Sequence, residues 1–457
     1  MSESAPRAAV VGAGPSGFYA TDQLLKAGFE VDLLEVLPTP FGLVRAGVAP
    51  DHPKIKSVTR VYEKVAKRPG FRFYGCVELG GHISRQDLLD RYHVVLYAVG
   101  TAADNRLGIP GEDRPGSHGA LEFVAWYNGH PDYADHAFDL GVERAVVIGN
   151  GNVAVDVARM LVLDPDEVAL TDTADHAVGP LAAAQVRDVV VLGRRGPAQA
   201  AFTTPELREL GELTRADIIV DPGDLELDPH SAAWLEAEAE PTNQRNVDLL
   251  REYASRTPHG HSHRVELRFL RSPVEILGEG PDGRVTGVRV VKNRIEDGRA
   301  VPTGEEEIIP CGLVIRSIGY RGAPLAGIPF DERRGLISNA GGRVLNPQTG
   351  EPETGEYVVG WVKRGPSGVI GTNKKDATDT VARILEDRDA GRLNAPASPD
   401  PQGGEQFLAQ RCPELVTWAG WRAIDEHETA LGEPLGRPRV KLVRTGELID
   451  VASGALR

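Results

Sequence analysis

The chain has 457 residues, 41% hydrophobic and 26% charged, with a net charge of −15 and three cysteines. It is too long for one core, which predicts two or three domains, and it holds no apolar run of about 18 residues to cross a membrane. The acidic balance argues against nucleic-acid binding, and Cys76, Cys311 and Cys412 lie too far apart for a metal site, a CxxC redox pair or a disulfide framework.

The first residues, MSESAPRAAVVGAGP, lack the apolar core of a signal peptide and the Arg-rich character of a transit peptide, so a cytoplasmic protein with reduced thiols is expected. Residues 8–14, AAVVGAG, read as a buried parallel strand running into a glycine turn. Gly12, Gly14 and Gly17 form GxGxxG, a helix FYATDQLLKAG follows, and a second strand, EVDLLE, ends on Glu35. Strand, glycine turn, helix, strand and terminal acid make a dinucleotide fingerprint. Gly12 permits the turn, Gly14 lets the backbone approach a pyrophosphate, and Gly17 lets the helix pack closely. Ser16 lies where a phosphate would meet the helix N-terminus, and Glu35 would accept from ribose hydroxyls. The next stretch, LPTPFGLVRAGVAPDHPKIKS (37–57), is rich in Pro and Gly and reads as neither helix nor strand; an ordered loop of that length suggests function.

A second copy stands at 145–161, AVVIGNGNVAVDVARML, with Gly149, Gly151 and Ala154. The strand after its helix is placed at 188–192, with 162–187 inserted between them. Where the first copy had Glu35 at the strand tip, this one has Arg194 and Arg195 in VVLGRRGPAQAAFTTPELREL. An acid there binds a ribose 2′-hydroxyl and repels a 2′-phosphate; arginines bind the phosphate with charge-assisted hydrogen bonds. The pair therefore predicts NADPH over NADH, and two nucleotide sites in one chain suit a flavoprotein that uses a nicotinamide coenzyme. Further on, RVELRFLRSPVEI and RVTGVRVVKN suggest added antiparallel strands. Residues 355–387 give a strand YVVGW, a glycine-rich loop and a helix from about Gly371, whose N-terminus could face a flavin. Segment 388–405 reads as a surface linker, and Trp418 and Trp421 as packing residues on a last helical stretch.

Four segments carry a resemblance: PTPFGLVRAGVAPDHPKIKS, VVIGNGNVAVDVARML, GRRGPAQAAFTTPELREL and GWVKRGPSGVIGTNKKDA. The chain resembles the NADPH–ferredoxin reductases of the adrenodoxin-reductase type, in a bacterial form without a Cys-rich ferredoxin-like extension. The resemblance implies an α/β fold of two Rossmann-like domains, the NADPH domain (105–321) inserted into an FAD domain split into 1–104 and 322–457. It implies FAD contacts at Ser16, Glu35, Leu43, Val77, Trp361 and Gly368, Val369 and Ile370. NADPH would be held by Gly149, Asn150, Gly151, Asn152, Arg194, Arg195 and Glu206, with Gly368 meeting the nicotinamide. Read from the residues alone, Leu43 and Val77 suit the core equally well. The resemblance also pairs His52 with Asp156. Hydride transfer from nicotinamide to flavin needs no general base, so that pair is expected to be structural or part of the electron path.

The expected activity is transfer of electrons from NADPH through FAD to a ferredoxin-type one-electron carrier, the flavin converting a two-electron donor into single-electron steps. The alternative is an NADPH-dependent flavin monooxygenase, for which no extra substrate domain is visible. Because ferredoxins are usually acidic, docking needs local basicity; residues 51–72 hold seven Lys or Arg against two acids.

Overall fold

The computed structural model describes residues 5–280, 283–368 and 370–455. The chain divides into two compact units: the first gathers residues up to Val48, His52–Ala103 and everything from Tyr320 onward; the second comprises Ala49–Asp51 and Asp104–Gly319. Among the described residues no helix is long and apolar enough to cross a membrane.

The first unit is built on an eight-stranded sheet. Its central strands lie in the spatial order Pro352–Val358, Val94–Tyr97, Arg7–Val11, Glu30–Leu34 and Phe71–Gly75, all parallel. Both faces are covered, which is why AAVV reads as a continuous apolar run. Ala8 and Val10 enter a core with Phe18, Tyr62 and Trp421, whereas Ala9 and Val11 enter one with Tyr92, Val358 and Val362. The order places a strand from the end of the chain beside strands from its beginning, so the sheet is closed only by a long-range pairing.

The loop 37–57 is more regular than expected. It contains two single helical turns, Leu43–Ala46 and Pro53–Lys56, the second starting on the φ that Pro53 fixes. The first turn is anchored by Arg45, whose Nη1 and Nη2 donate to the carboxylate of Glu428 at 2.8 and 2.6 Å. Glu428 is fully buried and also accepts from Arg439 Nη1 at 3.1 Å and Leu442 N at 2.9 Å. Burial works against its charge, yet Arg45 and Arg439 hold its carboxyl below the ordinary range. The end of the chain holds three helices, Pro401–Arg411, Trp418–Gly432 and Thr445–Ser453, rather than one, and the first begins inside the expected linker. Trp421 is a packing residue, 1% exposed and edge-on to Phe41 at 5.4 Å.

The second unit has a six-stranded parallel sheet in the order Ser117–Gly119, Leu313–Arg316, Arg144–Ile148, Asp188–Leu192, His263–Arg268, Ala216–Val220. Helices cover Ala145, Val147, Val189 and Val191. The opposite face, Val146, Ile148, Val190 and Leu192, is covered by an antiparallel sheet of Arg271–Gly278, Val285–Glu296 and Arg299–Pro310. One expectation is corrected here. RVELRFLRSPVEI is not a single antiparallel segment: its first half, His263–Arg268, lies parallel between two strands of the main sheet, and only the second half is antiparallel. Its alternating buried Val265 and Leu267 mimic the pattern of a half-solvated strand.

Candidate functional site

The two glycine turns have matching geometry. Gly12 N donates to Leu34 O at 2.8 Å and Gly149 N to Leu192 O at 2.9 Å. Both residues have positive φ, +108° and +132°, and a Cβ on either would strike a backbone carbonyl, Ala98 O at 2.5 Å or Ser317 O at 2.0 Å. Only glycine fits. A Cβ on Gly17 would lie 2.0 Å from Gly12 O, so helix Pro15–Lys26 packs directly on its own turn. Around Gly14 and Gly151, by contrast, a Cβ would meet nothing within 4 Å. These two residues begin helices Pro15–Lys26 and Asn152–Val162, and neither N-terminus is capped by a side chain. Each helix thus starts, without a side-chain cap, beside open space at a tight turn, a fit for a pyrophosphate in both units.

Glu35 stands directly after strand Glu30–Leu34 and is tied to the turn. Its Oε2 accepts from Ala13 N at 2.8 Å and its Oε1 from Leu37 N at 3.3 Å. Burial raises its pKa, and the backbone donors Ala13, Leu37 and Val36 partly offset that. Each oxygen keeps lone-pair capacity for a ribose hydroxyl. Val77 is buried in the core, and its N–H donates to Glu35 O at 2.9 Å; Leu43 is half-buried on the first helical turn of the loop.

The late segment of the same unit comes to the same place. Gly360 has φ +81°, and a Cβ there would lie 2.4 Å from Ser16 Oγ. Ser16 and Trp361, 345 positions apart in the chain, are therefore neighbours of one contact. The Trp361 ring stacks on Tyr320 with centroids 6.0 Å apart, and its Nε1 is buried with no hydrogen-bond partner among the described residues. That orphaned donor suits a bound polar ring system. Asp376, which sequence reasoning missed, fixes this turn to helix Ile370–Asp389: its Oδ2 accepts from Gly360 N and its Oδ1 from Lys363 Nζ, both at 2.6 Å. Gly368 is exposed at φ +79° and Ile370 starts the helix; Val369 lies outside the described residues.

In the second unit the arginines stand one residue later than expected. The position matching Glu35 is Gly193, where a Cβ would be 2.6 Å from Asn150 Nδ2, so a side chain there would have to displace the Asn150 amide. Arg194 and Arg195 follow, exposed, and line a cavity of about 390 Å³ with Ser272, Asn293, Arg299 and Pro302. Partial enclosure and the neighbouring charge of Arg194 both lower the pKa of Arg195. Neither arginine forms an ion pair among the described residues, unlike Arg268 and Arg271, which share Glu307. Asn150 O accepts from Ala201 N at 3.0 Å and Asn152 Oδ1 from Thr203 N at 2.8 Å, fixing the loop that leads to helix Thr204–Leu210 with its buried Glu206. His52 is buried in the first unit. Asp156 is buried in the second, where its Oδ1 accepts from Arg159 Nη1 at 3.4 Å. The cysteines are buried and free, and burial holds Cys76 and Cys311 up at about 12. No thiol is prepared for disulfide exchange.

Comparison with known proteins agrees with this geometry. Residues 6–191 match the model of the pyridine nucleotide-disulphide oxidoreductase family. The chain is 49% identical to the NADPH-ferredoxin reductase FprA of Mycobacterium leprae over 98% of both chains. It is 40% identical to the mitochondrial NADPH:adrenodoxin oxidoreductase of Salvelinus fontinalis, over 98% of this chain and 91% of that one. A solved structure of Mycobacterium tuberculosis FprA in complex with NADPH superposes with a TM-score of 0.91 at 48% identity, covering 99% of this chain and 100% of that one. With two open glycine turns, one with an acid at its strand tip and the other with arginines one residue beyond, and with relatives this close along its whole length, the chain belongs to the NADPH–ferredoxin reductase family.

Proposed function

We infer that this protein is a flavoprotein oxidoreductase that takes electrons from NADPH and passes them through FAD to a ferredoxin-type one-electron carrier. The observation that carries this is the pair of uncapped glycine-turn helices with opposite charge at the adjoining strand tips. The FAD site belongs to the first unit. Gly12, Gly14 and Gly17 would shape the pyrophosphate turn, with Ser16 beside it. Glu35 would bind ribose, Leu43 and Val77 would flank the nucleotide, and Trp361 and Gly368 to Ile370 would border the ring. The NADPH site belongs to the second unit, with Gly149 to Asn152 at the pyrophosphate, Arg194 and Arg195 at the 2′-phosphate, and Glu206 nearby; Gly368 would meet the nicotinamide. FAD supplies the conversion of a two-electron donor into single-electron delivery. The chain's contribution is to hold both nucleotides and their charges in place; His52 and Asp156 serve structure or the electron path, not proton abstraction. A monooxygenase is not favoured, since the relatives are reductases by name.

The carrier is an acidic iron–sulfur protein that docks on the basic segment 51–72. Arg60, Lys64 and Lys67 are exposed there without ion pairs among the described residues, beside exposed Ile55 and Val61. Free cysteines accord with the reducing cytoplasm. The test is direct: the purified protein, yellow, is heated and the released flavin identified, and NADPH is then added anaerobically to the holoenzyme. Release of FAD and bleaching by NADPH support the assignment; a colourless protein that FAD cannot reconstitute refutes it.

A further inference from the structure

The antiparallel sheet of the second unit has no part in a dinucleotide fingerprint, yet it forms one wall of the cavity lined by Arg194 and Arg195. It also holds the loop that carries them. Arg271 N donates to Gly193 O at 3.0 Å, Asn293 Nδ2 to Arg194 O at 2.8 Å and Leu270 N to Arg195 O at 3.1 Å. Three successive carbonyls of the arginine loop are thus taken by donors from this sheet and the residue leading into it. Asn293 is tied in turn through its own N–H to Leu270 O and through Nδ2 to Ser272 Oγ, both at 2.8 Å.

The hairpin that brings Asn293 returns at Asp297 and Gly298, whose φ of +47° and +74° are those of a tight Asp-Gly turn. Arg299 follows the turn, paired across the hairpin with Glu296, and lines the same cavity. The glutamates of this hairpin are all engaged: Glu296 with Arg294, Glu305 with Lys292, Glu306 with Arg289, and Glu307 with Arg268 and Arg271. Arg299 has no ion pair among the described residues. Three guanidinium groups, Arg194, Arg195 and Arg299, therefore border one cavity with no carboxylate bound to any of them. Like charges so placed repel one another unless an anion joins them.

We propose that Arg299 is a third cation of the site that reads the coenzyme's 2′-phosphate, reaching it from the antiparallel sheet while Arg194 and Arg195 reach it from the main sheet. This rests on the assignment of Arg194 and Arg195 to that phosphate. It makes the antiparallel sheet a part of coenzyme selection: its backbone donors set the first two arginines and its hairpin supplies the third.

The test is calorimetric titration of the holoenzyme with adenosine 2′,5′-bisphosphate and with 5′-AMP, comparing the wild type with R299Q, R299K and the double variant R194Q/R195Q. R299Q should weaken the bisphosphate about threefold to tenfold, the range for a partly exposed charge contact, and leave 5′-AMP unchanged. R299K should recover part of the loss, and the KM for NADPH should rise in R299Q with kcat unchanged. If R299Q leaves the bisphosphate unaffected while R194Q/R195Q weakens it, Arg299 has no such role and the two-arginine assignment stands. If R299Q weakens both ligands alike, Arg299 does not read the phosphate. If the double variant also binds the bisphosphate normally, the cavity is not the phosphate site and both assignments fail.

Discussion

Replacing Arg194 and Arg195 together by glutamine tests the charge proposed to distinguish the two coenzymes. A hydrogen bond to a charged partner contributes about 1.5–3 kcal/mol. Both side chains are exposed at the mouth of a cavity, and screening brings each contact nearer 1–1.5 kcal/mol. Two such contacts come to about 2–3 kcal/mol, or roughly 30- to 150-fold in KM for NADPH. NADH, lacking the phosphate, should lose almost nothing. Folding should be spared, because the loop is held by its carbonyls, which accept from Leu270 N and Asn293 Nδ2, and not by the guanidinium groups. Relief of the repulsion that lowers the Arg195 pKa works in the same direction. The assay is ferricyanide reduction by the holoenzyme over a range of each coenzyme, with a thermal melt alongside. The NADPH penalty should shrink between 0.05 and 0.5 M salt, since the contact is largely electrostatic. An equal rise in KM for NADPH and NADH, with an unchanged melt, would mean that these arginines do not read the phosphate.

Gly12→Ala should yield protein depleted of FAD, as judged by the ratio of visible to ultraviolet absorbance, because the new Cβ meets Ala98 O at 2.5 Å in a backbone already at φ +108°; full occupancy would show that the turn is not the cradle. Glu428→Gln should destabilise the fold by about 3–5 kcal/mol at pH 7, since Arg45 and Arg439 lose a buried counter-charge. The folded pKa of Glu428 is lowered, so its contribution is complete above the unfolded pKa and disappears as pH falls through the folded one. Denaturant melts of the two proteins should therefore differ by a constant amount from pH 6 to 8 and converge in acid, and a gap that widens in acid would contradict this. Charge reversal at Lys56, Arg60 or Lys64 should slow ferredoxin reduction at low salt and spare ferricyanide, and the wild-type ferredoxin rate should fall with ionic strength; unaffected ferredoxin kinetics would place docking elsewhere.

What was legible in the chain was what lies close together along it. Gly12, Gly14, Gly17 and Glu35 declare themselves because turn, helix and acid fall within one βαβ unit, and strand Asp188–Leu192 was placed correctly across its insertion. The offset of the arginines by one residue was not legible, since it depends on where strand Asp188–Leu192 ends against the glycine turn at Gly149. His263–Arg268 was misassigned because buried alternation looks the same in a parallel and an antiparallel setting. Asp376 and Arg299 were invisible for a different reason: the first acts on Gly360 across a loop, and the second reaches a cavity built with residues about a hundred positions earlier. No local pattern marks either. The single turns at Leu43–Ala46 and Pro53–Lys56 are too short to show a helical period.

The sheet order of the first unit bears on how the protein is made. The second unit, Ala49–Asp51 and Asp104–Gly319, is complete once Gly319 has been synthesised. The last strand of the first unit's sheet, Val416–Thr417 beside Phe71–Gly75, comes near the end of the chain, and strand Pro352–Val358 reaches Val94–Tyr97 about forty residues after Gly319. At a synthesis rate of about 5–20 residues per second, that is a delay of roughly 2–8 s. During that interval the N-terminal strands carry an uncovered edge and a glycine turn without Gly360 against Ser16. The inserted unit is then free to fold first, and the flavin can be captured only near the end of translation.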